Sequence, residues 1–288
     1  MKKQVSGWHD QLSWAIRPDC VREARDVLAK VQTEAGGLHR ENIMKAFSKD
    51  IAGWFGLDDL PIDMIDGQIA VITVDGVLVN MWNPFTANYP MLTAAFQKCK
   101  NDPNVKAVIV RLKTPGGTVS GLQECAEELN ALSDTKLTIA QVDGGCYSAG
   151  YYLACFCGAI HCGETDMLGN IGTVTNLWDV SEMFRNEGIK SLTFRSGPIK
   201  GIGIMGDPVT DIQQQFLATI NQAHFEYFKA AVMNGRNMDE SQFEPIADGR
   251  WWLGSQALEV GIIDSVSCMA ETIDAVRKYC AAQVLKGN

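Results

Sequence analysis

The stretch Val105-Lys-Ala-Val-Ile-Val-Arg-Leu-Lys-Thr-Pro-Gly-Gly-Thr118 decides the fold. Val105 to Leu112 is a short run rich in β-branched residues, the pattern of a strand buried on both faces. It ends abruptly at Thr114-Pro115-Gly116-Gly117. Working outward, Ile69 to Val74 and Leu137 to Val142 are runs of the same kind. Met91 to Lys100 and Ser120 to Leu132 read as helices, the second capped by Ser120 with Gln123 at the third position after it. Strands alternating with helices predict an α/β fold: a mostly parallel sheet with covering helices. The strand-to-helix junctions at Gly116-Gly117 and at Ser148 then share one sheet edge, where ligands bind in such folds.

The flanks read differently. Cys20 to Thr33 has Val21, Ala24, Val27, Leu28 and Val31 at helical spacing and stops at Gly36-Gly37. Glu41 to Trp54 suggests a second helix. Asp58, Asp59, Pro61 and Asp63 make a turn-rich acidic link. Beyond Ser148 comes an apolar helix from Ala149. Short strands are expected at Ala159 to Cys162, Ile171 to Thr175 and Ser191 to Arg195. Helices are expected at Thr210 to Met233, at Ser255 to Val260 (closed by Gly261) and at Thr272 to Leu285. The organisation predicted is a helical N-terminal extension over residues 1–66, the α/β domain over 67–266, and a C-terminal helix over 267–288.

Composition narrows the function. The chain has 288 residues with a net charge of −9, 46% of them hydrophobic and 20% charged. That is a globular composition with enough apolar residues for a real core. The acidic balance argues against nucleic acid as a partner, since phosphate binding needs a basic face. The uncharged stretch Gly144–Gly163 is membrane-spanning in length but carries five glycines, and reads as a buried helix followed by a buried strand; no membrane partner is expected. The N-terminus lacks a secretory apolar run. The expected location is cytoplasmic, in a host cell or an assembling virion. Nine cysteines include no Cys-x-x-Cys pair. Cys146, Cys155, Cys157 and Cys162 cluster among apolar neighbours and read as small buried hydrophobes. No metal and no cofactor are expected.

Ser148 follows a strand and two glycines and precedes a helix. It reads either as an N-cap or as a nucleophile at a sharp turn, with amides beyond it ready for an oxyanion. A nucleophilic serine needs a base. None of His9, His39, His161 and His224 has a neighbourhood that suggests a triad. A lysine can serve if it is uncharged, which requires apolar surroundings and no carboxylate partner. Lys200, in Pro198-Ile-Lys-Gly-Ile-Gly-Ile-Met205, has that setting. Arg195 lies five positions before it, and Asp207 is the nearest acid. The bland alternative is a solvated lysine in a glycine loop. Backbone N–H groups of Gly117 and Ala149 would supply two oxyanion donors.

Taken in order, these segments resemble a known family. Gly67-Gln-Ile-Ala-Val-Ile-Thr-Val-Asp-Gly-Val-Leu-Val79, Thr114-Pro-Gly-Gly117, Tyr147-Ser-Ala-Gly-Tyr-Tyr152, Leu168-Gly-Asn-Ile-Gly-Thr-Val174, Ser196-Gly-Pro-Ile-Lys200 and Gly249 to Asp264 together look like the signal peptide peptidase A family of serine–lysine peptidases. The resemblance spans Gly67 to Val266 and implies a ClpP/crotonase-like fold. It implies Ser148 as nucleophile, Lys200 as general base, and Gly117 and Ala149 as oxyanion donors, with Gly116 supporting. Where many members have a serine near the lysine, this chain has Asn170, a departure that bears on how Lys200 is oriented. Leu12-Ser-Trp-Ala-Ile-Arg-Pro-Asp19 resembles the opening of phage prohead (capsid-assembly) proteases. The resemblance implies a homo-oligomer acting on peptide or unfolded protein, with capsid or scaffold protein as the substrate of that branch. Activity would rise on the alkaline side as a lysine base deprotonates.

Other readings stay open at this stage. They are a soluble signal-peptide-peptidase-like protease, a non-catalytic assembly scaffold, an acyl-CoA enzyme of crotonase type, and Cys146 as nucleophile. The crotonase reading would need an acid/base group and a basic CoA pocket, neither of which is evident near Ser148. Residues 1–66 read as an assembly arm, a self-cleaved prosegment or a helical cap.

Overall fold

A computed structural model of the chain describes residues 14–16, 60–81 and 87–286. The helices expected at Cys20–Thr33 and Glu41–Trp54 lie outside them. The strands are β1 (Trp14–Ile16), β2 (Ile62–Ile65), β3 (Ile69–Asp75), β4 (Ala107–Thr114), β5 (Gly116–Thr118), β6 (Leu137–Tyr147), β7 (Ala159–Cys162), β8 (Met167–Gly169), β9 (Trp251–Leu253) and β10 (Ser265–Val266). The helices are α1 (Tyr89–Asn101), α2 (Leu122–Ser133), α3 (Ala149–Ala154), α4 (Ser181–Asn186), α5 (Asp211–Arg236), α6 (Glu240–Phe243), α7 (Gly254–Glu259) and α8 (Met269–Lys286).

Eight strands form one sheet in the order β10-β7-β6-β4-β3-β2, with β8 on β6 and β9 on β8. The pairings β3–β4, β4–β6, β6–β7, β6–β8 and β7–β10 are parallel. Only β2–β3 and β8–β9 are antiparallel. The α/β fold with a mainly parallel sheet is therefore as the residue pattern predicted. One face of the sheet buries Ile69, Val71, Ala107, Ile109 and Ile139 against Val276 and Cys280 of α8. α1 and α2 pack on each other and against β3 and β6, burying Leu92, Phe96, Cys125 and Leu129.

Several local expectations are corrected. The acidic link contains strand β2, because Ile62 and Ile65 can pair with β3 while Asp63 and Met64 stay exposed. β6 does not stop at Val142. It passes through a bulge, with Leu112 opposite Val142 and then Thr114 opposite Cys146. Gly144 takes φ +79° there, a conformation glycine adopts without steric cost. α2 is capped not by Ser120 but by Gly121 at φ +84°, with no side-chain cap bond; the Ser120 hydroxyl instead accepts from Asn80 Nδ2 at 3.1 Å. α1 begins at Tyr89, two residues early, because Asn88 caps it and Pro90 fits the first turn. Ile171–Thr175 and Ser191–Arg195 are not ladder strands. Val174 makes an isolated bridge, and no ladder forms in either segment among the described residues.

The described residues form two compact units, one of Trp14 with Thr173–Tyr227 and one of residues 15–16, 60–81, 87–172 and 228–286. In the smaller unit, Arg195 pairs with Asp207. Asp179 accepts from the amides of Ser181 at 2.9 Å and Val209 at 3.0 Å. Thr173 and Asn221 exchange hydrogen bonds of 3.0 and 3.1 Å. In the larger unit, Arg236 makes two 2.8 Å bonds to Asp264, whose carboxylate also accepts from Ile160 N–H. Burial acts to push the Asp264 carboxyl up, but the Arg236 and Ile160 hydrogen bonds outweigh it and hold it below the usual range. Arg236→Ala strands that carboxylate and should cost about 2 kcal/mol. Its deficit, read by denaturant unfolding, shrinks as pH falls through the depressed carboxyl pKa, because the bond it removes is lost in the parent there too.

Candidate active site

The site is built where two neighbouring parallel strands end. Thr114 of β4 lies opposite Cys146 of β6, so Gly116-Gly117 and Ser148-Ala149 leave the sheet side by side. Adjacent strands lie about 4.8 Å apart, which brings the two turns within reach of one small group.

Ser148 sits between β6 and the six-residue helix α3, with φ +52° and ψ −117°. A non-glycine residue in this region costs about 1–3 kcal/mol. Its side chain makes no capping bond, so the simple N-cap reading falls. Ser148 N–H donates to Gly169 O at 2.8 Å, and Oγ donates to Gly172 O at 3.4 Å. The residue is wholly buried. Ala149 opens α3, and the first amides of a helix have no carbonyl one turn back to bond.

Gly117 is fixed by the strap that crosses it. Leu78 N–H donates to Gly116 O and Leu78 O accepts from Thr118 N–H, both at 2.9 Å. A Cβ on Gly117 would lie 1.8 Å from Leu78 O. Gly116 N–H is bound to Thr114 Oγ1 at 3.1 Å, which secures the turn from the β4 side.

Asn170 has φ +55° and is nearly buried. Its N–H donates to Arg250 O at 2.7 Å, and its Nδ2 donates to Gly249 O at 2.6 Å. That bond ties down the Gly169–Gly172 loop, whose two end carbonyls receive both polar hydrogens of Ser148. Sequence reasoning singled out Asn170 but missed Gly249, Arg250, Leu78 and Gly172, since backbone carbonyls leave no side-chain signal. Asn170→Asp tolerates the positive φ yet sets a carboxylate against Gly249 O. Labelling of Ser148 by a fluorophosphonate should run about tenfold slower than in the parent at neutral pH, and that ratio should narrow in acid as the carboxyl regains a proton to donate. Unchanged labelling would remove Asn170 from the site.

Lys200 belongs to the Thr173–Tyr227 unit, where its side chain is exposed. Its N–H donates to Gly197 O at 3.1 Å. The Arg195 charge expected to act on it is instead taken up by Asp207. Lys200 lines a cavity of about 590 Å³. Of the histidines, His161 Nδ1 is bonded to Thr272 Oγ1 at 2.8 Å. Burial pushes the thiols of Cys155 and Cys162 up to about 12 and raises Cys146 and Cys157 as well. Cys146 is therefore a protonated core thiol, unsuited to nucleophilic attack. Among the described residues no cluster of His, Cys, Asp and Glu could hold a metal ion, and no helix is long and apolar enough to cross a membrane.

A mainly parallel α/β sheet here ends in a positive-φ serine beside a double-glycine turn. The family model for peptidase family S49 matches residues 130–284, more than half of the chain, and the chain belongs to that family. It is 25% identical over 212 residues to the chloroplastic serine protease SPPA of Arabidopsis thaliana, covering 72% of this chain and 31% of that protein. It is 24% identical over 215 residues to protease 4 of Haemophilus influenzae, covering 73% and 34%. The chain spans between about a third and two thirds of the length of the curated relatives it matches. A solved enoyl-CoA hydratase/isomerase family member overlaps 78% of this chain and 74% of its own, at 16% identity and a TM-score of 0.43.

Proposed function

We propose that the chain is a serine endopeptidase with Ser148 as nucleophile and Lys200 as general base. The observation that carries this reading is the Ser148 backbone, held at φ +52° where no capping bond explains it. Lys200 takes the Ser148 hydroxyl proton as Oγ attacks the peptide carbonyl. The amides of Gly117 and Ala149 receive the oxyanion, each worth a few kcal/mol in the transition state. Lys200 then gives its proton to the leaving amine, and water, deprotonated by the same amine, hydrolyses the acyl-enzyme. The fluorophosphonate test decides the nucleophile: a single adduct on Ser148, absent from Ser148→Ala, is the expected result. Lys200→Ala should abolish cleavage of an unfolded protein with the fold intact, and full activity in it would remove Lys200 as the base.

The working form is a homo-oligomer. Twelve large hydrophobic side chains of the Thr173–Tyr227 unit are solvent-exposed, Phe194 at 94% and Leu192 at 69% among them, which is the surface of a subunit contact. Sedimentation measures it, and mixing Ser148→Ala with Lys200→Ala chains tells whether the dyad forms within one chain or between two.

The finer reading is a capsid-assembly protease with capsid or scaffold protein as substrate. It is supported by Leu12–Asp19, of which only residues 14–16 are among the described ones. Co-expression with such proteins and mass spectrometry of the products, the chain's own N-terminus included, tests it.

A further inference from the structure

The cavity beside Lys200 extends the serine–lysine reading and rests on it. Its walls are mostly apolar, with Thr175 the one polar side chain beside Lys200. α5 supplies Phe216, Leu217 and Ile220, and the facing loop supplies Ile199 and Ile202, with Lys200 between them. No acidic residue lines it. The loop is anchored to the same helix, because Gln213 Nε2 donates to Pro198 O at 2.9 Å and Gln213 is only 1% exposed. Lysine and pocket are therefore held as one piece. Phe216 and Ile220 stay 41% and 36% exposed, so this wall has unsatisfied apolar surface in the free chain.

The chemistry of a lysine base fixes what comes to that pocket. The proton taken from the serine must pass to the leaving nitrogen, which has to approach within about 3 Å of the amine. That nitrogen belongs to the residue immediately after the scissile bond. Its side chain starts two bonds away, so it falls beside the lysine and into whatever cavity the lysine lines. We propose that this cavity is the subsite for the residue following the cut, and that it selects a large apolar side chain such as Leu, Phe or Met. Its volume of about 590 Å³ accommodates any of them. Gly gains nothing there.

Internally quenched peptides that differ only at that position test it, with the cut located by mass spectrometry. For the wild-type protein, kcat/KM with Leu or Phe should exceed that with Gly by about 30-fold. In Leu217→Trp, which fills the pocket, the Leu-to-Gly ratio should collapse to about threefold or less. Should that variant fail to fold by circular dichroism, Ile220→Ala on the exposed rim gives the same readout, with the ratio lowered. Equal rates for Leu and Gly, or a ratio unmoved by the variants, overturn the subsite. If the variants alter the sedimenting mass and leave the ratio alone, the pocket is a contact between copies and the proposal fails. Loss of the serine–lysine reading looks different: no Ser148 adduct and no cleavage of any peptide, which would overturn both.

Discussion

Ser148→Gly will melt higher than the parent chain and cleave nothing. Glycine adopts φ +52° without the steric cost that serine carries there, a relief of about 1–3 kcal/mol. Against it stands the extra chain entropy of glycine, about 0.5–1 kcal/mol. The balance is about 1 kcal/mol of added stability, or about 2 °C in a chain of this size. Activity falls about a millionfold, as when other serine peptidases lose their nucleophile. Ser148→Ala is the control. It loses the hydroxyl bond to Gly172 but keeps the strain, so its midpoint should not rise. Thermal unfolding of the two variants side by side separates backbone strain from side-chain contacts. If Gly and Ala melt alike, no strain is stored at the nucleophile.

The second large effect is expected at Gly117. An alanine methyl there would sit 1.8 Å from Leu78 O and 2.5 Å from Leu78 C. Both are backbone atoms, held by hydrogen bonds to Gly116 and Thr118, so no side chain can swing aside. β5 must shift, at a cost of about 3 kcal/mol, and the Gly117 amide moves off the position proposed for it as an oxyanion donor. The rate of Ser148 acylation should drop about 100- to 1,000-fold. Gly144→Ala makes the contrast: nothing lies within 4 Å of its Cβ, so only the φ of +79° is penalised, at about 1 kcal/mol. Denaturant unfolding and burst-phase acylation measure both. Parity of the two variants would mean that the Leu78 strap yields.

Much of this arrangement is legible in the residues. Ile69–Val74, Val105–Leu112 and Leu137–Val142 declare themselves as strands through continuous β-branched character, and the two turns at Gly116-Gly117 and Ser148 follow from where those runs stop. What escaped was set by partners far along the chain. Gly144-Gly145 reads as a stop, yet the strand continues because β8, about twenty residues on, supplies a neighbour for Gly145–Tyr147. Ser191–Arg195 reads as a short strand, but no ladder forms there among the described residues. Ser120 looks like a cap and is outcompeted by the backbone freedom of Gly121. Asn170 stood out only against the family pattern. Its bond to Gly249 O, across 79 positions, is a fact of three dimensions that no local spacing encodes. The exposed state of Lys200 was likewise beyond the residues around it, which are apolar in sequence but do not enclose it within the Thr173–Tyr227 unit.

The two-partner course of β6 has one more consequence. Its early residues Ile139–Gln141 pair with β7, whereas Gly145–Tyr147 pair with β8 on the far side of the glycine bulge. The sheet forks there, and Ser148 rides on the short prong, not on the trunk. Substitutions in Met167–Gly169 or Trp251–Leu253 should thus displace the backbone around Ser148 while leaving the β3–β4 and β4–β6 ladders in register.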